Sequence, residues 1–512
     1  MALFRKLGIG YRAGLVLGLM ALIGVSAVAC SSDGVAQEDY DAVSASLNSA
    51  QADLSSAKSE ITVLKTDLAE LSGSGVVTTS PHQVVKVDVS QAESTKTVLE
   101  DWQTAEAAHM GVFLLDSFDS SGPAAWDAAE HPTVFVTSEG EGYAGFISET
   151  YKGAGLQIID AVTKEHVASA EYNLGYEQHG EPHGMGVSPD GQWIYVPTAD
   201  GDAPWRAGGT GGRLLIVNAQ TLKIDQILQT RGGPHHVKAF TDANGEHKII
   251  VELQGNGVML LDPHDDHKVV GAWSIEDFGA ETYQADANPA GTHLYVNTHL
   301  GSRGIAPQLQ AAVAKVDLET GRISYITGVG SYTNGFAFTS DGKFTYVVDS
   351  VTDHVFKIDN STDKVIGKSM TAVPGPYMIE LNDDETELWI IGKGEMTFNL
   401  GGSLGLVNTQ SMRAVNAYDI GGQTIDHNIF NPADSTEMWV TSSGTAEIIV
   451  FDVVSRTVKA RIPSANGGDT HSGAFVTYTA GFEGTLLADN TGRHASFLEQ
   501  QKEAVNALAV AK

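Results

Sequence analysis

Cysteine is almost absent from this chain: Cys30 is the only one in 512 residues. A disulfide framework within the chain is therefore excluded. Thiolate-ligated metal centres are excluded too, among them any cysteine-ligated electron-transfer copper. Basic residues are scarce, 31 Lys and Arg against 63 Asp and Glu, for a formal net charge of −32. A field of that sign repels nucleic acid and anionic lipid headgroups, and it favours solubility in a salty milieu. The apolar run Leu15–Val28 is short for a membrane-spanning helix and passes directly into polar sequence.

That run follows Arg5, Lys6 and Arg12, the order of an export signal rather than of a folded element. It ends Ala27-Val28-Ala29-Cys30-Ser31, which resembles a bacterial lipobox with Ala27 at the position where Leu is usual. The resemblance implies cleavage before Cys30, lipidation of Cys30 and attachment to a membrane outside the cytoplasm, at the cell surface or in the periplasm. On this reading residues 1–29 are the signal and 30–36 a tether.

Residues 37–72 carry five heptads. Tyr40, Leu47, Leu54, Ile61 and Leu68 recur every seven residues, and Val43, Ala50, Ala57, Leu64 and Leu71 follow at an offset of three. Such a seam is buried only against another helix, so an N-terminal coiled-coil stalk and a homo-oligomer, dimer or trimer, are expected. Ser72-Gly-Ser-Gly ends the helix, and residues 73–130 read as a linker leading into the next domain.

From residue 131 to 494 the chain repeats a turn followed by a short aromatic and β-branched strand, as in Pro189-Asp-Gly-Gln-Trp-Ile-Tyr-Val196 and Ser340-Asp-Gly-Lys-Phe-Thr-Tyr-Val347. The anchors Gly191, Gly245, Gly291, Gly342, Thr386, Thr436 and Gly484 follow one another at 54, 46, 51, 44, 50 and 48 residues. This period is that of a β-propeller. The expected fold is all-β with seven blades, or eight if Thr133–Val136 begins a further unit. The last copy lacks outer strands and residues 131–175 lack an inner partner, so the two ends should complete one blade. Residues 495–512 read as a C-terminal helix.

The segments SPDGQWIYVPTADG and TSDGKFTYVVDS resemble the YVTN and lactonase-type propeller superfamily over roughly residues 130–490. The resemblance implies the fold and leaves function to the site.

Eight or nine residues before each anchor the chain should enter the central channel. Those positions hold His183, His236, Tyr283, Asn334, Tyr377 and His427, with His471 as the equivalent in the last copy. His235 adjoins His236, His179 lies in the loop before His183, and His299 ends the strand after its anchor. Lys393 ends the corresponding strand of a later blade, where a cation would serve as a catalytic group. Asp286, Asp426 and Asp469 lie close enough in sequence to orient imidazoles.

An all-imidazole set suits copper, zinc, iron or nickel, and His179, His183, His235, His236, His299, His427 and His471 are too many for a single catalytic zinc. The arrangement resembles the catalytic propeller of nitrous oxide reductases, whose blades contribute seven histidines, including an adjacent pair, to a four-copper sulfide cluster. The resemblance implies a multinuclear copper cofactor, a small-molecule substrate and an external electron-donor protein. The last is required because the chain lacks the cupredoxin domain and cysteines of those enzymes. Two other readings stand beside it: a lactonase-like hydrolase with one metal ion such as zinc, and a non-enzymatic surface scaffold.

Overall fold

The computed structural model describes residues 83–88, 104–115, 126, 131–139, 154–173, 183–199, 212–230, 232–299, 311–394, 401–465 and 467–489. The chain divides into two units, Met1–Ser80 and Pro81–Lys512, and every described residue belongs to the second. Cys30, the heptad segment 37–72, His179 and residues 495–512 lie outside the described residues.

The repeated turn-and-strand units form seven antiparallel sheets, the blades of a seven-bladed propeller. The innermost strands are Gly186–Val187, Gly233–Thr241, Glu281–Ala287, Thr333–Phe338, Pro376–Leu381, Ile425–Phe430 and Asp469–Tyr478, which we number blades one to seven. Each touches the next round the ring, and the last returns to the first. Burial falls from inside to outside. The inner strand Ile425–Phe430 and its neighbour Glu437–Ser442 are buried throughout, whereas the outermost strand Arg413–Asp419 of blade five is almost wholly exposed. Apolar side chains of adjacent blades fill the spaces between sheets, and polar ones turn to the channel or to solvent.

Blade seven closes the ring with strands from both ends of the chain. Its inner strand Asp469–Tyr478 pairs with Thr133–Glu139, which is followed outward by Ala154–Asp160 and His166–Asn173. Thr133–Val136 therefore lies in the second strand of blade seven, and the described residues form seven blades and no eighth. The strand Gly484–Asp489 does not take that second place. It pairs along the other side of Asp469–Tyr478.

The stretch read as a linker contributes two strands. Gln83–Asp88 runs parallel to the outermost strand of blade seven, and Phe113–Leu115 pairs with that of blade one, so both outer edges are covered. Trp126 seals the junction between these blades. Its indole N–H donates to the Ala219 carbonyl (2.9 Å), and its ring meets Phe135, Tyr478 and Phe482 edge-on.

Candidate metal centre

The feature that builds the site is a β-bulge near the start of the inner strand. Pro234 pairs with Leu253 but Val237 with Val251, so His235 and His236 together face the single residue Glu252. Blades three, five, six and seven repeat the device. Tyr283 and Gln284 face Asn297, Tyr377 and Met378 face Ile391, Asp426 and His427 face Thr441, and His471 and Ser472 face Thr137. In blade four the extra residue is Gly335, whose positive φ of 40° suits glycine. A bulge turns side chains out of the regular pleat, here toward the channel, and leaves amides without ladder partners. Threonines on the second strand receive those amides: His427 N donates to Thr441 Oγ1 (3.0 Å) and Ser472 N to Thr137 Oγ1 (3.2 Å).

Five imidazoles from four blades meet in a closed circuit. Ring centroids are 4.1 Å apart for His235 and His183, 3.4 Å for His183 and His471, and 4.7 Å for His471 and His427. The circuit closes at 5.6 Å between His427 and His236 and 4.2 Å between His236 and His235. Two sets of three donors stand out. His183, His235 and His236 each present a ligand atom within 4.8 Å of the others, and so do Asp426, His427 and His471.

The chemistry of these donors fits a metal. Neither ring nitrogen of His427 has a hydrogen-bond partner, nor does Nδ1 of His236, although all three are buried. Burial, followed by the neighbouring imidazoles, holds His183, His236 and His427 well below the ordinary histidine range. These rings are neutral at pH 7, the form that ligates a metal.

The ring orientations are fixed from outside the circuit. His235 Nδ1 lies 3.2 Å from the Tyr283 carbonyl oxygen and 3.3 Å from Glu252 Oε2. A carbonyl only accepts, so Nδ1 carries the hydrogen and Nε2 is the nitrogen able to ligate. His236 Nε2 meets the Tyr377 hydroxyl at 3.1 Å, and the Tyr283 hydroxyl donates to that of Tyr377 (3.4 Å). A hydroxyl that accepts from Nε2–H leaves a lone pair on Nδ1. Gly184 makes room for this ring. An ideal Cβ at Gly184 would overlap His236 Nδ1 and fall 2.9 Å from Cγ.

Lys393 is buried at the rim of the circuit, in ion-pair contact with Asp426 (Nζ to Oδ1, 2.6 Å) and 4.0 Å above the Tyr377 ring. Asp426 Oδ2 accepts from Ser443 Oγ and lies 3.6 Å from His471 Nδ1. His299 stands one step away. Its ring stacks on Tyr332 (3.9 Å) with Nε2 3.0 Å from the Thr333 carbonyl oxygen, and Tyr283 contacts both His299 and His235. Asp286 is deeper than its proximity in sequence to the mouth implied. Two residues beyond the bulge, it pairs with Tyr295 and joins Glu380 and Asp489 in the field around buried Lys238.

Sequence reading missed Glu252, Tyr332, Thr441, Thr137 and Gly184. A glutamate interrupting the apolar run Ile249–Leu253 of the strand His247–Gln254 was the one available signal.

No protein-family model matches this chain, and no curated protein does. Among solved structures it is similar to a dihydro-heme d1 dehydrogenase, NirN, at 14% identity over 69% of this chain and 77% of that one, with a TM-score of 0.45. It is similar to the periplasmic gluconolactonase PpgL of Pseudomonas aeruginosa at 16% identity, over 67% and 98% of the two chains, with a TM-score of 0.49. The hydrazine synthase of Kuenenia stuttgartiensis matches at 13% identity over 60% and 94%, with a TM-score of 0.43.

Proposed function

We propose that the histidine circuit holds a multinuclear copper centre of the copper–sulfide kind and that the protein reduces nitrous oxide to dinitrogen and water. The observation that carries this reading is the closed circuit of five imidazoles, with two donor triplets side by side. The number of imidazoles, and the neutrality of His183, His236 and His427, suit several soft, low-charge ions better than one hard one. His183, His235, His236, His427 and His471 would hold the centre, with His179 and His299 as further ligands. When bound, the copper ions would supply two electrons together to a molecule that a single ion activates weakly.

The chain's own residues supply the rest. Glu252, the Tyr283 carbonyl and the Tyr377 hydroxyl orient the adjacent histidine pair. Lys393 holds a proton at Nζ beside the circuit, and Asp426 fixes its position. Reduction of nitrous oxide consumes two protons and two electrons. With no thiolate copper site possible in this chain, the electrons come from a separate donor protein.

Cys30 would carry a lipid that tethers the mature protein outside the cytoplasm, and residues 37–72 would associate copies of the chain. Among the described residues no helix is long and apolar enough to cross a membrane.

A second reading, single-zinc hydrolysis of a lactone, is favoured by the mixed set Asp426, His427 and His471. Metal analysis of protein produced with copper and sulfide available, together with nitrous oxide consumption by the reduced protein, tests both readings. About four coppers per chain, lost in His235→Ala and His427→Ala, support the first. One zinc with lactone hydrolysis replaces it by the second. A folded protein that takes up no metal overturns both.

A further inference from the structure

A second group of imidazoles lies at the opposite end of blade two. His247 opens the strand His247–Gln254, whose other end pairs beside the histidine circuit. Seven residues of strand put it about 20 Å from the circuit. His264 stands in the next turn of the same blade, Asp262-Pro-His-Asp-Asp-His267, and Asp190 comes from the turn of blade one.

His247 Nδ1 and His264 Nε2 face each other at 3.0 Å. Two imidazole nitrogens bound to one ion at about 2.0 Å are about 2.8 Å apart in square-planar geometry and about 3.3 Å apart in tetrahedral geometry. The pair thus already has the separation of adjacent ligands. The far nitrogen of His264, Nδ1, lies 3.7 Å from Asp190 Oδ2, beyond hydrogen-bond distance but close enough for the carboxylate charge to favour a hydrogen on Nδ1 and a cation at the inner nitrogen. Asp190 is itself held by Ser188 Oγ (2.5 Å) and Gln192 N (3.1 Å).

The neighbours sort themselves around this pair. His267 is committed elsewhere, its Nδ1 3.0 Å from the Tyr195 hydroxyl. Glu246 and Asp262 are each engaged by Lys248 at 2.9 Å. Asp190, Glu246, Asp262, Asp265 and Asp266 outnumber Lys248 and Lys268, so the local field favours a cation.

We propose that His247 and His264, with Asp190 behind His264, form a rim site for one exchangeable divalent transition ion, Zn²⁺ or Cu²⁺, with water in the remaining positions. On binding, the hydrogen shared between the rings moves to the outer nitrogen of its own imidazole, so both inner lone pairs reach the ion and no net proton is released. Because Asp190 belongs to blade one, an ion there would tie the first two blades together.

The test is calorimetric titration of the chain with Zn²⁺, with thermal melting in parallel. Wild type should bind one equivalent that EDTA removes readily and should melt at a higher temperature with Zn²⁺ present. His247→Ala and His264→Gln should each weaken that equivalent at least tenfold and abolish the rise in melting temperature, while melting like wild type without metal. Asp190→Asn should weaken it by less than either histidine variant does, since it removes a nearby charge and no hydrogen bond to His264. With Cu²⁺ instead, the electron paramagnetic resonance signal should show two imidazole nitrogens, one lost in either histidine variant. Unchanged Zn²⁺ affinity in both histidine variants overturns the proposal. So does loss of the exchangeable equivalent in His236→Ala, which assigns it to the circuit and leaves the channel reading standing.

Discussion

Lys393 and Asp426, from neighbouring blades five and six, form an ion pair of 2.6 Å that is almost wholly removed from solvent, with side-chain exposures of 3% and 0%. Removing one partner of such a pair leaves the other charged and desolvated, a cost of about 3–5 kcal/mol. Lys393→Ala is therefore expected to lower unfolding free energy by about that amount in denaturant melts, and Lys393→Met combined with Asp426→Asn to recover most of it. Turnover should fall in Lys393→Ala while copper content is retained, because Lys393 is not among the donor groups of the circuit. A loss below about 1 kcal/mol in the single variant would show that the pair is not held as described.

Gly184 is the most sensitive position for the circuit that carries no functional group. Its amide donates to the His235 carbonyl and its own carbonyl accepts from Val237 N (2.8 and 2.6 Å), so the backbone has little freedom to retreat. Gly184→Ala should displace the His236 ring and reduce bound copper at least tenfold. Circular dichroism should remain that of the wild type. Full copper loading in this variant would mean that Nδ1 of His236 does not ligate.

Tyr377→Phe and Glu252→Gln test the orientation of the adjacent pair. Each removes a group held against one histidine, the hydroxyl at His236 Nε2 and the carboxyl beside His235 Nδ1. Copper affinity should drop about 10- to 100-fold in either variant, the usual effect of losing an outer hydrogen-bond partner. The loss from Tyr377→Phe should appear in metal competition assays more than in stability, since only a hydroxyl is deleted.

Acid should destabilise the metal-free chain. His183, His236 and His427 have folded values below the ordinary 6.5, so as pH falls through 6.5 the unfolded chain takes up protons that the folded chain does not, and stability declines. Glu252 acts in the opposite sense. Burial raises its carboxyl, whose contribution grows as pH falls through the raised value. Three imidazoles outweigh one carboxyl, and the pH slope of unfolding should shrink when His183 and His427 are replaced by Gln. His267, pushed down to about 4 by burial, gives a separate marker. Its ring should titrate in NMR near that value, and its contribution of about 3 kcal/mol should be lost between pH 6.5 and 4.

The repeat period, the turn chemistry and the aromatic second strands were readable along the chain, because each blade is built from contiguous residues with a local pattern. The same counting singled out His236, His427 and His471, since the bulge recurs at nearly the same distance before each anchor, and His183 at the equivalent place just before the short inner strand of blade one. Strand pairing was less accessible at the ends. Thr133–Glu139 and Gly484–Asp489 are equally apolar, and only tertiary contacts put the first beside Asp469–Tyr478 on its outer side and the second on the other.

The partners of the histidines were decided by the tertiary structure alone. Glu252 faces His235 and His236 because a bulge sets two residues against one. Lys393 reaches Asp426, and Tyr377 reaches His236, across boundaries between blades. One-dimensional spacing fixes which residues share a strand position. It cannot fix which side chains from different blades meet in the channel, because that depends on the closure of the ring, the tilt of each sheet and the packing that holds them.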